Sequence, residues 1–306
     1  MTTATGIAPG APGVGRQSLR HRLADRGIDR VLLLLVPGVL FLALLFVYPF
    51  LYGLQLSFAP KDGGGLLANY QNFFSDSYLR DTIWTTLILG VPAALFNVLA
   101  SVPIAYRMRG RFRGKRTITT LLVVPIALGT VLTADGLIEL LGPSGWLNKL
   151  LRDFNLVDQP VMLVHNYWGV FFSLIITGFP FAFLLVLSYL SGIDPNLERA
   201  ASVMGAGWWE RFRRITFPLL VPGLAITFCL SFVLAFSVFP SANLVGDPSG
   251  STRVISIAAY HAAFEQFDYS MGSAISMIMG AIMLGIIALV LGWRSTMFRG
   301  ATGGKG

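Results

Sequence analysis

A long uncharged stretch near the beginning of the printed sequence limits the folds that the chain can adopt. From Val31 to Leu56 there is no Asp, Glu, Lys or Arg, and a helix needs only about 20 apolar residues to cross a bilayer. Counting this one, six apolar runs lie at about 31–57, 83–106, 117–141, 166–190, 217–240 and 271–293. None of them alternates with period two, and backbone groups in lipid must be hydrogen-bonded within their own segment. The sequence therefore predicts an all-α, polytopic membrane protein with six transmembrane helices.

The composition supports this class and argues against a nucleic-acid partner. Only 12% of the residues are charged, whereas a soluble domain has about 25%. The net charge of +8 comes from basic residues in short loops between apolar runs, with no compact basic surface interleaved with aromatic residues. Cys229, the single cysteine, lies within an apolar run, which is typical of a small buried side chain.

The basic residues also predict an orientation. Eighteen of the 23 Lys and Arg residues lie on one side of the six runs: Arg16, Arg20, Arg22, Arg26, Arg30, Arg107, Arg109, Arg111, Arg113, Lys115, Arg116, Arg199, Arg211, Arg213, Arg214, Arg294, Arg299 and Lys305. The opposite loops contain Lys61, Arg80, Lys149, Arg152 and Arg253. Positively charged loops stay in the cytoplasm. We therefore expect a disordered, basic cytoplasmic N-tail (1–30), a membrane domain (31–294) and a cytoplasmic C-tail (295–306).

The loop after the fourth run is polar and strongly patterned. Residues 197–223 read LERAASVMGAGWWERFRRITFPLLVPG. Asp194 is a good N-cap and Pro195 fits a first helical turn, so we expect a short helix from about Asn196 to Met204. Gly205 then allows the chain to reverse. The pattern by itself suits two structures equally: a knob that contacts a partner protein, or an amphipathic helix on the membrane surface.

The spacing within this loop resembles the signature of the permease subunits of binding-protein-dependent ABC importers. The family pattern is Glu-Ala-Ala, three residues, Gly, nine residues and Ile-x-Leu-Pro, and five residues of this chain are in register with it: Ala200, Ala201, Gly205, Ile215 and Pro218. The resemblance extends from about Val31 to Arg294. The last apolar run, FDYSMGSAISMIMGAIMLGIIALVLGWR, is most similar to the spermidine/putrescine branch, with sugar permeases next.

The resemblance implies a type I ABC importer permease fold in which residues 191–216, here called the coupling loop, transmit movements of an ATPase. The residues implied in this coupling are Glu198, Arg199, Ala200, Ala201, Gly205, Ile215 and Pro218. Arg199 occupies the position of the family's Glu. Glu198 lies one residue earlier, about 100° round the helix, and does not simply replace it.

The resemblance also implies several partners at a bacterial plasma membrane. They are ABC ATPase subunits, a second permease subunit (homologous or identical) and an extracytoplasmic substrate-binding protein. The chain contains no GxxxxGK[ST] phosphate loop, so we expect ATP and Mg²⁺ on the ATPase and no cofactor on this chain. We find no nucleophile–base pair and no clustered metal ligands, which predicts a non-catalytic subunit without a metal site.

Charged residues within apolar runs are candidates for the substrate path. Asp135 and Glu139 lie four residues apart near the outer end of the third run, on one helix face, and they suit a cationic, polyamine-like substrate. Alternatively, they lie at headgroup level, solvated or paired with Lys149 or Arg152. Gly178 and Pro180 predict a functional kink in the fourth run. Two other functions remain open: a sugar or glycerol-phosphate ABC permease, and a stand-alone secondary transporter.

Overall fold

The structure is a computed structural model of the chain, and it describes residues 30–61, 63–110 and 114–297. The predictions for the N-tail before Arg30, and for the C-tail from Phe298 onward, lie outside the described residues. Every regular element in the described part of the chain is helical. Six of these helical stretches are long and apolar enough to cross a membrane. The prediction of an all-α, six-span protein is therefore confirmed.

The chain divides into two compact units, and the first ends at Gly53. The first unit contains α1 (Arg30–Leu42), a π-helical turn (Ala43–Val47) and the beginning of α2 (Tyr48–Ser57). The continuous segment Leu34–Ser57 has a mean hydropathy of 2.5. At about 1.5 Å per residue it is longer than the hydrocarbon layer is thick, at about 30 Å, so it forms the first span.

The second unit begins at Leu54 and contains the other five spans. Its helices are α3 (Ala68–Ser75), α4 (Ser77–Met108), α5 (Lys115–Leu141), α6 (Trp146–Asp153), α7 (Tyr167–Ser191), α8 (Pro195–Val203), α9 (Trp208–Arg211), α10 (Phe217–Phe236), α11 (Pro240–Leu244), α12 (Ile255–Tyr260) and α13 (Tyr269–Met297). Two π-helical turns, Phe212–Thr216 and His261–Glu265, extend α9 into α10 and lengthen α12.

Two spans have a boundary that does not coincide with the end of their apolar run. The second span starts at Ser77, before its apolar run, because Oδ1 of Asp76 accepts a hydrogen bond from the Tyr78 N–H at 2.8 Å and caps the helix. The fifth span ends at Phe236, and Pro240 begins the separate helix α11. The apolar run continues across this break, so hydropathy does not mark it.

Helices α4 and α7 form the centre of the second unit. Leu89 and Ala93 of α4 pack with Val170 and Leu174 of α7 in one buried cluster. Further along the same two helices, a second cluster combines Val102, Ala105 and Met108 with Phe183, Val186, Leu187 and Leu190. Small residues on α4 allow such close approach between spans. Helix α10 also contributes to both the second cluster and a third, so α4, α7 and α10 support the coupling loop.

Candidate functional site

The coupling loop begins as the sequence predicts. Helix α8 has Pro195 as its first residue, and Oδ1 of Asp194 accepts a hydrogen bond from the Asn196 N–H at 2.9 Å. At the other end Gly205 has a φ of +88°, a left-handed conformation that costs glycine little because it has no Cβ. The N–H of Gly205 bonds to the carbonyl of Ser202, and that of Ala206 to the carbonyl of Ala201. This is the Schellman motif that closes a helix, and it confirms the predicted reversal at Gly205.

Glu198 points inward and connects the coupling loop to two spans. Its carboxylate accepts hydrogen bonds from Nη1 of Arg109 at 3.0 Å, from the Tyr106 hydroxyl at 3.2 Å and from the Thr216 hydroxyl. Tyr106 and Arg109 lie at the end of α4, whereas Thr216 immediately precedes α10. We call Glu198, Tyr106, Arg109 and Thr216 the Glu198 clamp. One carboxylate on α8 thereby links α8 to both α4 and α10.

The clamp is largely shielded from water and remains charged. The side chains of Arg109 and Glu198 are 12% and 17% exposed. Burial raises the pKa of Glu198, but the Thr216 hydrogen bond and the Arg109 charge outweigh it and leave the pKa below its ordinary value of 4.5. An ion pair whose side chains are so little exposed to solvent stabilises a structure when further hydrogen bonds satisfy the carboxylate. Tyr106 and Thr216 donate such hydrogen bonds here.

The other predicted coupling residues lie on both faces of the loop. Ala201 is buried, and Ile215 is half-buried. Arg199 is exposed, and its guanidinium donates to Oδ1 of Asn196 at 3.2 Å. Ala200, Gly205 and Pro218 are exposed as well. Arg199 and Glu198 therefore point in different directions, as the 100° offset between consecutive helical residues requires.

Two exposed apolar residues at the end of α8 escaped the sequence analysis. Val203 is 90% exposed and Met204 is 82% exposed, so they form the tip of the coupling loop. The sequence predicted a helix that ends near Met204, but the bounds of a helix do not tell which of its apolar residues are exposed. Large apolar side chains this exposed at a loop tip are typical of a surface that a partner covers.

Aromatic side chains fix the second limb of the coupling loop against α4. The ring of Phe212 lies 5.1 Å from that of Tyr106 in an edge-to-face arrangement. Phe212 also stacks with Trp208 and Trp209, at 6.3 and 5.8 Å between ring centroids. Each such aromatic pair contributes about 0.5–1.5 kcal/mol beyond its buried area. The second limb therefore rests on the same Tyr106 that belongs to the Glu198 clamp.

The third span is broken at Gly129, a residue that the sequence analysis did not select. Gly129 has φ +74° and ψ 177° within α5, a conformation that is essentially restricted to glycine. Pro125, four residues earlier, lacks the N–H that would bond to the preceding turn. The hydroxyl of Thr133 donates to the Gly129 carbonyl at 2.7 Å, one helical turn earlier. The combination of Pro125 and Gly129 was the available signal for this break.

Asp135 and Glu139 lie shortly after this break. Both are exposed, whereas Ala134 and Leu137 on the opposite side of the helix belong to a buried cluster. Neither carboxylate forms a salt bridge with any residue that the structure describes, Lys149 and Arg152 included. The two acidic groups therefore share one open face of α5, and the pairing that the sequence left open is not observed.

Gly178 and Pro180 lie within a helix that stays regular. Helix α7 continues through both residues from Tyr167 to Ser191. A Cβ at position 178 would collide with the amide nitrogen of Asn97, which donates to the Leu174 carbonyl at 3.1 Å. Gly178 therefore lets α4 approach α7, and the backbone break in this part of the bundle is in α5 rather than α7.

Comparison with known proteins shows the family. Residues 97–299 match the family model described as a binding-protein-dependent transport system inner membrane component. A probable ABC transporter permease protein of Brucella abortus is 28% identical over 264 residues, 82% of this chain and 91% of the relative. A spermidine/putrescine transport system permease protein of Haemophilus influenzae is 29% identical over 205 residues, 65% of this chain and 71% of the relative.

A solved structure shows the same fold. It belongs to a bacterial ABC transporter involved in the import of the acidic polysaccharide alginate, with a TM-score of 0.74 and 22% identity over 94% of this chain and all of that chain. This agreement confirms the type I importer permease fold. The chain therefore belongs to the family of inner membrane components of binding-protein-dependent transport systems, and it is the non-catalytic permease subunit of an ABC importer.

Proposed function

We propose that this permease subunit converts ATP-driven movement of a partner ABC ATPase into uptake of a small cationic, polyamine-like solute. The Glu198 clamp is the observation that carries the coupling. Because it joins α8 to the end of α4 and to the start of α10, a push on α8 displaces two spans together. ATP and Mg²⁺ act on the ATPase, and this chain contributes the mechanical link.

The exposed tip of the coupling loop is the proposed docking face. Val203 and Met204 would fill an apolar groove on the ATPase, and the small side chain of Ala200 would allow close approach. Arg199 would contact an acidic group of the ATPase. Other family members have a glutamate at this position, and its carboxylate would contact a different group. The distribution of basic residues supports a cytoplasmic position for this loop and for both termini, at a bacterial plasma membrane.

The proposed substrate path follows the open face of α5. Charged side chains are costly in lipid, so Asp135 and Glu139 would face a water-filled path between this chain and a second permease subunit. Discontinuous helices such as α5 commonly form the binding site of transporters. Two carboxylates after the break suit an amine cation, and the similarity to a spermidine/putrescine permease supports this class. A substrate-binding protein would deliver the solute from outside.

A sugar substrate is the second candidate, because an aromatic cluster lies at the beginning of α7. Trp168 is 52% exposed and stacks on Phe172 at 6.1 Å between ring centroids. Phe172 in turn packs with the buried cluster of Ala134 and Leu137 on α5. The faces of aromatic rings bind the apolar side of sugar rings and also bind cations. The carboxylates on α5 are therefore the feature that discriminates between the two substrates.

Co-purification and vesicle transport test the docking face. We expect Val203→Asp/Met204→Asp to reduce both the ATPase recovered with this chain and ATP-driven uptake, because charge at the tip opposes burial. Ser202→Asp, which adds a charge to an exposed neighbour on the same helix, is the matched control and should have little effect. If the double variant retains its ATPase and its uptake, the docking face lies elsewhere.

Paired uptake measurements test the substrate class. Asp135→Asn/Glu139→Gln should lower uptake of spermidine by about tenfold or more, the loss expected when about 1.4 kcal/mol or more of charge interaction is removed. Uptake of a neutral disaccharide by the same vesicles should not fall, and Asp153→Asn on the exposed end of α6 is the control. Disaccharide uptake without any spermidine uptake would establish the sugar alternative.

A further inference from the structure

A basic groove runs between the end of α4 and the second limb of the coupling loop. Its volume is 1270 Å³. Four arginines line it, Arg107, Arg109, Arg199 and Arg211, with Glu198 as the one acidic residue among the described lining residues. Glu198 already pairs with Arg109, so the other three arginines give the groove an excess of positive charge. The Nε–H of Arg211 is buried and has no hydrogen-bond partner in the described part of the chain.

The groove changes character along α4. It is also lined by Leu99, Val102 and Pro103, which precede Arg107 along α4. Leu99 and Arg107 are eight residues apart, which corresponds to about 12 Å along a helix. One end of the groove is therefore cationic, and the other end, more than two helical turns away, is apolar.

The depth of the groove corresponds to the boundary of the membrane. Helix α4 has 32 residues, about 48 Å at about 1.5 Å per residue, so it extends beyond a hydrocarbon layer of about 30 Å. Its last turn carries Tyr106 and Arg107, while Trp208 and Trp209 line the groove beside them. Tyr and Trp are typical of the headgroup level. The cationic end thus lies where lipid phosphates are, and the apolar end lies at the depth of the acyl chains.

We propose that this groove binds one anionic phospholipid, with its phosphate between Arg107 and Arg211 and an acyl chain along Leu99 and Val102. The planar guanidinium matches a phosphate with two parallel hydrogen bonds, and the free Nε–H of Arg211 supplies a donor. A soluble anion would leave the apolar end of the groove unfilled, whereas a phospholipid fills both ends. The inference goes beyond the proposed coupling, because it concerns the bilayer. Arg107 and Arg211, which would hold the phosphate, are not part of the proposed docking face of Arg199, Ala200, Val203 and Met204.

Native mass spectrometry of the purified transporter complex that contains this chain tests the proposal. The complex is titrated with phosphatidylglycerol or with phosphatidylcholine, and lipid bound to this chain is counted. Each basic residue near an anionic surface strengthens binding by about fivefold, so Arg107→Gln/Arg211→Gln should weaken phosphatidylglycerol binding by about thirtyfold. Arg107→Lys/Arg211→Lys keeps the charge and should retain most of the affinity.

The matched control is Arg213→Gln/Arg214→Gln, which removes two exposed arginines from the same segment that do not line the groove. It should leave phosphatidylglycerol binding within about twofold of the unmodified chain, because neither side chain lines the groove. The proposal is overturned if the unmodified complex shows no preference for phosphatidylglycerol, or if both double Gln variants lose affinity equally. Displacement of the lipid by inorganic phosphate or glycerol phosphate would identify a soluble anion as the ligand and also overturn it.

Discussion

Neutralising Glu198 tests whether the clamp holds the coupling loop to the spans. Glu198→Gln keeps the shape of the side chain and one acceptor but removes the charge that faces Arg109, whose side chain is 12% exposed. A hydrogen bond to a charged group contributes about 1.5–3 kcal/mol and a neutral one about 1 kcal/mol. Glu198→Gln should therefore destabilise the loop by about 1–2 kcal/mol, because it weakens the hydrogen bonds from Arg109, Thr216 and Tyr106 and leaves the charge of Arg109 unpaired.

Hydrogen exchange of the backbone amides in residues 194–216 measures this loss directly. A local cost of about 1–2 kcal/mol lowers their protection by about five- to thirtyfold, while the amides of α4 and α7 remain protected. Arg199→Gln is the matched control, because Arg199 is exposed and makes a single described hydrogen bond, to Asn196. We expect the control to change protection by less than about twofold, since exposed interactions contribute little.

A double-mutant cycle separates the ion pair from general damage. If the Arg109–Glu198 pair carries the effect, Arg109→Gln/Glu198→Gln should lower protection by less than the sum of the two single variants. Additive losses, or a Glu198→Gln variant indistinguishable from Arg199→Gln, would refute the clamp as the link between α8 and the spans. A variant with a weakened clamp should also hydrolyse more ATP per molecule imported.

Four further predictions follow from individual residues. Because the pKa of Glu198 is held below 4.5, its stabilisation is complete above that pH and is lost as the pH falls through the lower folded value. Protection of the loop, corrected for intrinsic exchange rates, should therefore decrease only in acid, and Glu198→Gln should show no such decrease. Gly205→Ala should destabilise the loop by about 1–2 kcal/mol, because φ is +88° at a site with open space for a Cβ. Gly207→Ala is its control, with equally open space and φ −66°, and an equal loss there would refute the backbone argument. Gly129→Ala should reduce transport because φ is +74°, whereas Gly136→Ala, on the same helix and equally open, should not; equal uptake by the two variants would contradict a functional break. Gly178→Ala should lower thermal stability by about 1–3 kcal/mol through collision with Asn97, unlike Gly280→Ala in open space on α13; a melting temperature unchanged by Gly178→Ala would contradict close α4–α7 packing.

Local properties made much of the fold predictable. The six spans follow from apolar runs longer than the bilayer is thick, which is a property of each segment by itself. The beginning of α8 at Asp194 and Pro195, and the reversal at Gly205, also follow from residue chemistry within a few positions. The spacing of Ala200, Ala201, Gly205, Ile215 and Pro218 predicted the permease family, and the family model confirms it.

The sequence by itself determined the number of spans, the helical class and the place of the coupling loop, since hydrophobicity, capping and motif spacing act over short distances. Only the tertiary structure decided what depends on contacts between distant segments. Glu198 contacts Arg109 and Tyr106, which are 89 and 92 residues away from it in the sequence. No local sequence pattern reveals partners at such a separation. Gly129 and Gly178 both lie near a proline in an apolar run, yet only Gly129 breaks its helix. Gly178 instead packs against Asn97 of α4, because the neighbouring helix determines whether a glycine serves as a break or as a close contact.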